Sequence, residues 1–199
     1  MTEAAAADVL CLPHPDWLQH SLTVTGPAAA VTAFRAAAAG AGVVPWVYDY
    51  ARLAEDWFHL LVAPPPPRQR TISVAGARIL ANQLRDAVWA QHEAAVSQVG
   101  VSKACPFDLH ALLPVPFAIL RLGPDDPQSL AWLWAHWGTT WSLRQVTQIP
   151  LPRPEQAQSP AGQAAFRCRF WAADWTPWPA LVTLRRRWPE LSLTVQPNY

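Results

Sequence analysis

A chain of 199 residues that is 51% apolar and only 15% charged has the side chains to bury a core as one large domain or two small ones, and its low charge density argues against global disorder. Its formal net charge of +1 gives no overall field that would draw it to nucleic acid or to an acidic surface. Cys11, Cys105 and Cys168 are an odd set, far apart and without a Cys-x-x-Cys pair, which argues against a disulfide framework or a thiolate metal site and fits buried, reduced thiols of a cytoplasmic protein.

Lys103 is the single Lys among 15 basic residues and Ala is abundant, a bias that points to a GC-rich bacterial genome more than to Arg chemistry. Met1 to Leu12 carry Glu3 and Asp8 and no basic cluster, so no secretory signal is expected. No apolar run approaches the ~18 residues a membrane helix needs.

Residues 1–18 read as an N-terminal tail, and residues 19–199 as one domain. Ser21 to Thr25 alternate apolar and hydroxyl side chains, the pattern of a half-buried strand closed by Gly26-Pro27. Ala28 to Ala39 follow as a helix stopped by Gly40. Val43 to Tyr50 and Trp57 to Val62 are apolar runs of strand length. Pro64 to Pro67, beside Arg68, Gln69 and Arg70, read as a stiff solvated connector. From Val74 to Val99 a helix is predicted, with Leu80, Leu84, Ala87, Val88, Ala95 and Val99 as its core face and Gly100 as its stop.

Residues 101–126 are Pro-rich and irregular. Asp126 can cap a short helix that Pro127 opens and Gly138 ends. Thr139 to Thr147 read as a strand, 148–164 as a long loop, and Phe166, Cys168 and Phe170 as the apolar face of another strand. Pro177 to Trp188 form a helix, and Leu191, Leu193 and Val195 a last strand. Without the insertion at about 43–126 the order is βαββαβ. That makes the chain α+β: a ferredoxin-like sandwich with a large helical insertion after its first helix.

Four patches carry a family resemblance. His136-Trp137-Gly138-Thr139-Thr140-Trp141 resembles Asn-Trp-Gly-Thr-Lys-Trp, a signature of the YubB-type (Api-like) ferredoxin-like family of bacterial, phage and plasmid proteins. Ser21 to Pro27 resemble its opening strand. Phe170 to Pro179, with Trp188-Pro189-Glu190-Leu191, resemble its Thr-Ala-Trp-Ser-Pro-Pro and Tyr-Pro-Glu-Leu segments. Phe107-Asp108 with Leu113-Pro114-Val115-Pro116 resemble its Phe-x-x-Ile-Ile-Pro-Met-Pro stretch. The chain departs from the pattern at His136 and Thr140. The resemblance implies a fold and carries no activity with it.

Catalytic constellations are missing. There is no Gly-rich phosphate loop, no His-Glu-x-x-His and no Gly-x-Ser-x-Gly. His92-Glu93 reads as a solvated pair, His110 and His136 as hydrogen-bonded structural residues, and Asp125-Asp126 as a helix start. Cys105 near His110 lacks the signs of a lowered pKa. No catalytic residue, metal ligand or cofactor is nominated, and no membrane association is expected.

Two surfaces remain. Trp137, Trp141, Trp175 and Trp178, among 12 Trp, could form an aromatic pocket for a protein partner; they read more simply as core with bonded indole N–H groups. If the apolar strand residues face the helices, the other sheet face carries Thr23, Thr25, Arg144, Arg167, Arg169, Trp171 and Thr194. Arg and an aromatic on an open sheet can hold single-stranded nucleic acid, though the insertion has this face as its obvious place to pack. A binding protein without catalysis leads this reading, with a single-strand binder as the alternative and an enzyme of undetermined type behind both.

Overall fold

Alternation decides the first element. In β1 (Trp17–Pro27), His20, Leu22 and Val24 are fully buried while Gln19, Thr23 and Thr25 turn the other way. The computed structural model describes residues 15–63, 71–151 and 162–198; most of the N-terminal tail, the Pro64–Pro67 connector and residues 152–161 of the long loop lie outside them. Pro27 leads directly into α1 (Ala28–Ala38), whose Val31, Phe34 and Ala38 fall on one face and press on the sheet.

The two short apolar runs are not strands. Residues 41–49 run without a ladder partner, and Trp57 to Val62 are helical. They end α2 (Tyr50–Val62), which Asp49 caps by accepting the Arg52 N–H at 2.9 Å. Leu53, Ala54, Trp57, Phe58 and Leu61 are among its less exposed residues and recur at helical spacing, a period that a window opened at Trp57 conceals. Helix α3 (Val74–Val96) starts at Ser73, which accepts the Gly76 N–H at 3.0 Å. Its expected stripe is not core: Leu84 is 40% exposed, and the buried residues are Ala77 and Ala81. Small side chains let α2 approach there, so α2 and α3 pack on each other rather than on the sheet. The guanidinium of Arg78 pairs with Glu55 and lies over the Phe58 ring.

The Pro-rich stretch holds two single-turn helices, α4 (Leu109–Leu112) and α5 (Phe117–Leu120). Asp126 caps α6 (Pro127–His136) by accepting the Gln128 N–H at 2.8 Å. Then come β2 (Arg144–Gln148), β3 (Gln163–Ala173), α7 (Trp178–Arg187) and β4 (Ser192–Asn198). Strand β2 is shorter than Thr139 to Thr147 because Thr139 is drawn into the interior, its hydroxyl donating to the Ala173 carbonyl at 3.0 Å.

The sheet order is β2-β3-β1-β4 with every neighbouring pair antiparallel. The described residues thus form an α+β fold of one four-stranded antiparallel sheet and seven helices. Helices α1 and α7 share a single core with Leu22, Val24, Phe166, Cys168 and Phe170, all on one face of the sheet. Each such side chain contributes about 1.5–3 kcal/mol on burial.

At the base of the insertion Gly40 and Cys105 exchange backbone hydrogen bonds of 3.0 and 2.9 Å. The Asp108 carboxylate accepts the Gly42 N–H at 2.9 Å and the His110 N–H at 2.8 Å. Gly40 has no room for a side chain, because a Cβ there would overlap that carboxylate. These contacts anchor the insertion beside α1, and among the described residues its helices α2 and α3 pack on each other and not on the sheet face away from α1 and α7. Among the described residues no helix is long and apolar enough to cross a membrane.

Candidate functional site

Strand register sets the composition of the open sheet face. Thr23 pairs with Arg167 and Thr194, Ser21 with Arg169 and Gln196, and Gln19 with Trp171 and Asn198. On the outer strand, Arg144 pairs with Trp171 and Thr147 with Arg169. Reaching both pairs requires one extra residue in β2, and Gln145 supplies it at φ 48°. The bulge keeps Arg144 and Thr147 on the same side, so Arg144, Arg167, Arg169 and Trp171 share a face.

None of these arginines forms an ion pair among the described residues. The Nε of Arg167 is buried and meets no acceptor there. The Arg144 guanidinium lies 4.1 Å from the Trp17 ring and 5.5 Å from the Trp141 ring, which meet edge to face at 6.5 Å. Trp17 was hidden by assigning residues 1–18 to a tail; its parity with Gln19, Ser21 and Thr23 places it on this face.

The tryptophan quartet is dispersed. Trp137 is 1% exposed, and its indole N–H donates to the Leu113 carbonyl at 3.0 Å. It is a core residue and offers nothing to a partner. Trp141, Trp175 and Trp178 are 42%, 47% and 54% exposed. Trp141 belongs with Trp17 and Arg144, while Trp175 rests edge-on against Trp134 at 6.2 Å. Trp178 opens α7 beside Gly138, where φ is 77° and a Cβ would overlap the Pro179 ring. The Gly of the Trp-Gly-Thr-x-Trp element is therefore required on two grounds.

Several His and Cys side chains, from buried His20 to exposed His136, serve the fold. His20 donates from Nδ1 to the Leu18 carbonyl at 2.9 Å, which leaves Nε2 to accept the Thr176 hydroxyl at 2.9 Å. The Nδ1 of His110 accepts the Val115 N–H at 3.3 Å, and His136 stacks on Trp132 at 4.3 Å. Burial pushes the Cys105 thiol pKa up, against the Phe107 backbone N–H and with a smaller push from the nearby Asp108, the reverse of nucleophile activation. Burial pushes Cys168 up to about 12. Among the described residues no cluster of three or more His, Cys, Asp or Glu is placed to hold a metal ion.

Burial lowers the pKa of both His20 and His110. Unfolding then takes up protons below the ordinary value of 6.5. The stability these neutral rings contribute is complete above that pH and is lost as pH falls through their lowered native values. Thermal melts should show a Tm lower by a few degrees at mildly acidic pH than at neutral pH, with the difference reduced in His20→Gln. An unchanged Tm across that window would contradict the assignment.

A search of solved structures finds this chain similar to the crystal structure of a protein Api92 from Yersinia pseudotuberculosis, designated DUF1281, at 14% identity over 92% of this chain and 90% of that one, with a TM-score of 0.45. No protein-family profile and no curated protein matches the chain.

Proposed function

We propose that this chain is a non-catalytic binding protein of the YubB-type, ferredoxin-like class whose open sheet face holds single-stranded nucleic acid. The fold part rests on the strand order, on the two helices sharing one face, and on the Trp-Gly-Thr-x-Trp residues Trp137 to Trp141. The observation that carries the function is the set of arginines Arg144, Arg167 and Arg169 beside Trp171, on a sheet face against which α1 and α7 do not pack and without carboxylate partners among the described residues. Arg167 and Arg169 lie about 6.5 Å apart along β3. They suit successive phosphates, and Trp171 offers a ring on which any base can stack. Local charge does this work, since the net charge does not.

Anisotropy of a fluorescein-labelled oligo(dT) strand tests the reading. Binding should weaken steeply with salt. Arg167→Ala with Arg169→Ala should lower affinity at least tenfold and reduce the salt slope by about 1.4, roughly 0.7 per lost phosphate contact. Trp171→Ala should cost about 1–3 kcal/mol. No salt-dependent binding by the wild-type chain, or a double variant that binds equally well, rejects the proposal. The exposure of Trp175 and Trp178 favours a second reading, a protein partner at the start of α7; loss of a captured partner in Trp178→Ala, with oligo(dT) ignored, would establish it instead.

A further inference from the structure

Beside the outer strand, a cavity of about 420 Å³ opens between residues 42–48, α3, α6 and the turn before β2. Its size lies within the range of small-ligand sites, in a class of molecule whose interiors otherwise pack tightly. Trp46, Tyr48, Leu130 and Leu133 line it, and Asp125 and Arg144 bring opposite charges to it. Helix α3 builds one wall. His92 on that helix donates from Nε2 to the Trp46 carbonyl at 2.8 Å and meets the Tyr48 ring edge to face at 4.7 Å. Among the described residues the insertion therefore forms a pocket next to the sheet face.

Aromatic and aliphatic walls suit a flat, largely apolar body. A carboxylate can only accept hydrogen bonds, so Asp125 selects an edge rich in N–H groups. A guanidinium without a carboxylate partner among the described residues selects an anion. Guanine presents adjacent N–H donors on one edge and, as a nucleotide, carries a phosphate at the other end. Arg144 and Trp141 line the cavity and also stand in the group with Trp17 at the edge of the open sheet face. A base leaving a strand laid on that face would enter here.

We propose that this cavity receives the base of one guanine nucleotide, with its phosphate on Arg144. The inference rests on the sheet face being a nucleic-acid surface, and two probes separate the claims. Guanosine monophosphate is titrated by calorimetry into the wild-type chain and into Asp125→Ala, an exposed position whose loss spares the core. Oligo(dT) is titrated in parallel. The expected result is guanosine monophosphate binding that weakens roughly tenfold in Asp125→Ala, as for a lost charge-assisted hydrogen bond, while oligo(dT) binding stays unchanged. Oligo(dT) binding without guanosine monophosphate binding, or guanosine monophosphate binding indifferent to Asp125, overturns the pocket and leaves the sheet reading standing. Guanosine monophosphate binding lost in Asp125→Ala without any oligo(dT) binding keeps the pocket and overturns the sheet reading. Binding of neither overturns both.

Discussion

Trp137→Ala should destabilise the protein by about 3–5 kcal/mol, the cost of emptying a large buried aromatic site. Against a typical total of about 5–15 kcal/mol, that is enough to unfold a sizeable fraction of the molecules. The ring is 1% exposed, belongs to the single core and touches the Trp132 ring edge to face at 6.2 Å. Its indole N–H is the donor to the Leu113 carbonyl. Trp137→Phe separates the two contributions, because it keeps most of the apolar area and removes the donor; a loss of about 1–3 kcal/mol is expected from the orphaned carbonyl. Denaturant unfolding measures both. If Trp137→Ala lies within about 1 kcal/mol of wild type, Trp137 is not a core residue. A loss of binding in this variant would report unfolding and says nothing about a surface.

The second large effect is expected at Asp108. This side chain is 7% exposed, and its carboxylate satisfies the backbone N–H groups of Gly42 and His110. Asp108→Ala leaves both donors without a partner, at about 1–3 kcal/mol each. It also removes the cap of α4. Asp108→Asn keeps one acceptor and should fall between Ala and wild type. Thermal unfolding gives the magnitude, and amide hydrogen exchange at Gly42 and His110 should accelerate in Asp108→Ala. Unchanged exchange at both amides would mean that the carboxylate does not hold the base of the insertion.

The sheet was legible because its signal is local. The alternation in Ser21 to Thr25, Phe166 to Phe170 and Leu191 to Val195 assigns each side chain to a face without knowledge of its partners. Asp126 was legible for the same reason, as a capping residue followed by Pro. The insertion was not. Helix α2 buries mainly Ala54, and α3 meets it through Ala77 and Ala81, residues that carry little hydrophobic signal. The four tryptophans looked like one group because they share a segment type. Position in three dimensions separates them, since Trp137 points into the core while Trp141 follows the turn toward β1. Arg144 and Trp171 were legible as a face, but Trp17 was not once β1 was started too late. The cavity had no sequence signature, because its walls come from residues 42 to 144 and only folding brings them together.

The central position of β1 also governs how the chain comes into being. Its only sheet partners are β3 and β4, yet it ends at Pro27 while β3 begins at Gln163. On a ribosome adding about 5–20 residues per second, β1 therefore waits roughly 7–30 s for its first neighbour. Throughout that interval Leu22 and Val24 have no strand beside them, and α1 is the first element that can shield them. The β2–β3 pair can form locally, but β1 joins the sheet only after residues beyond 163 are made, and refolding from denaturant must close the same long loop before β1 gains a partner. Such a chain is expected to refold slowly and to depend on chaperones more than its modest size would suggest.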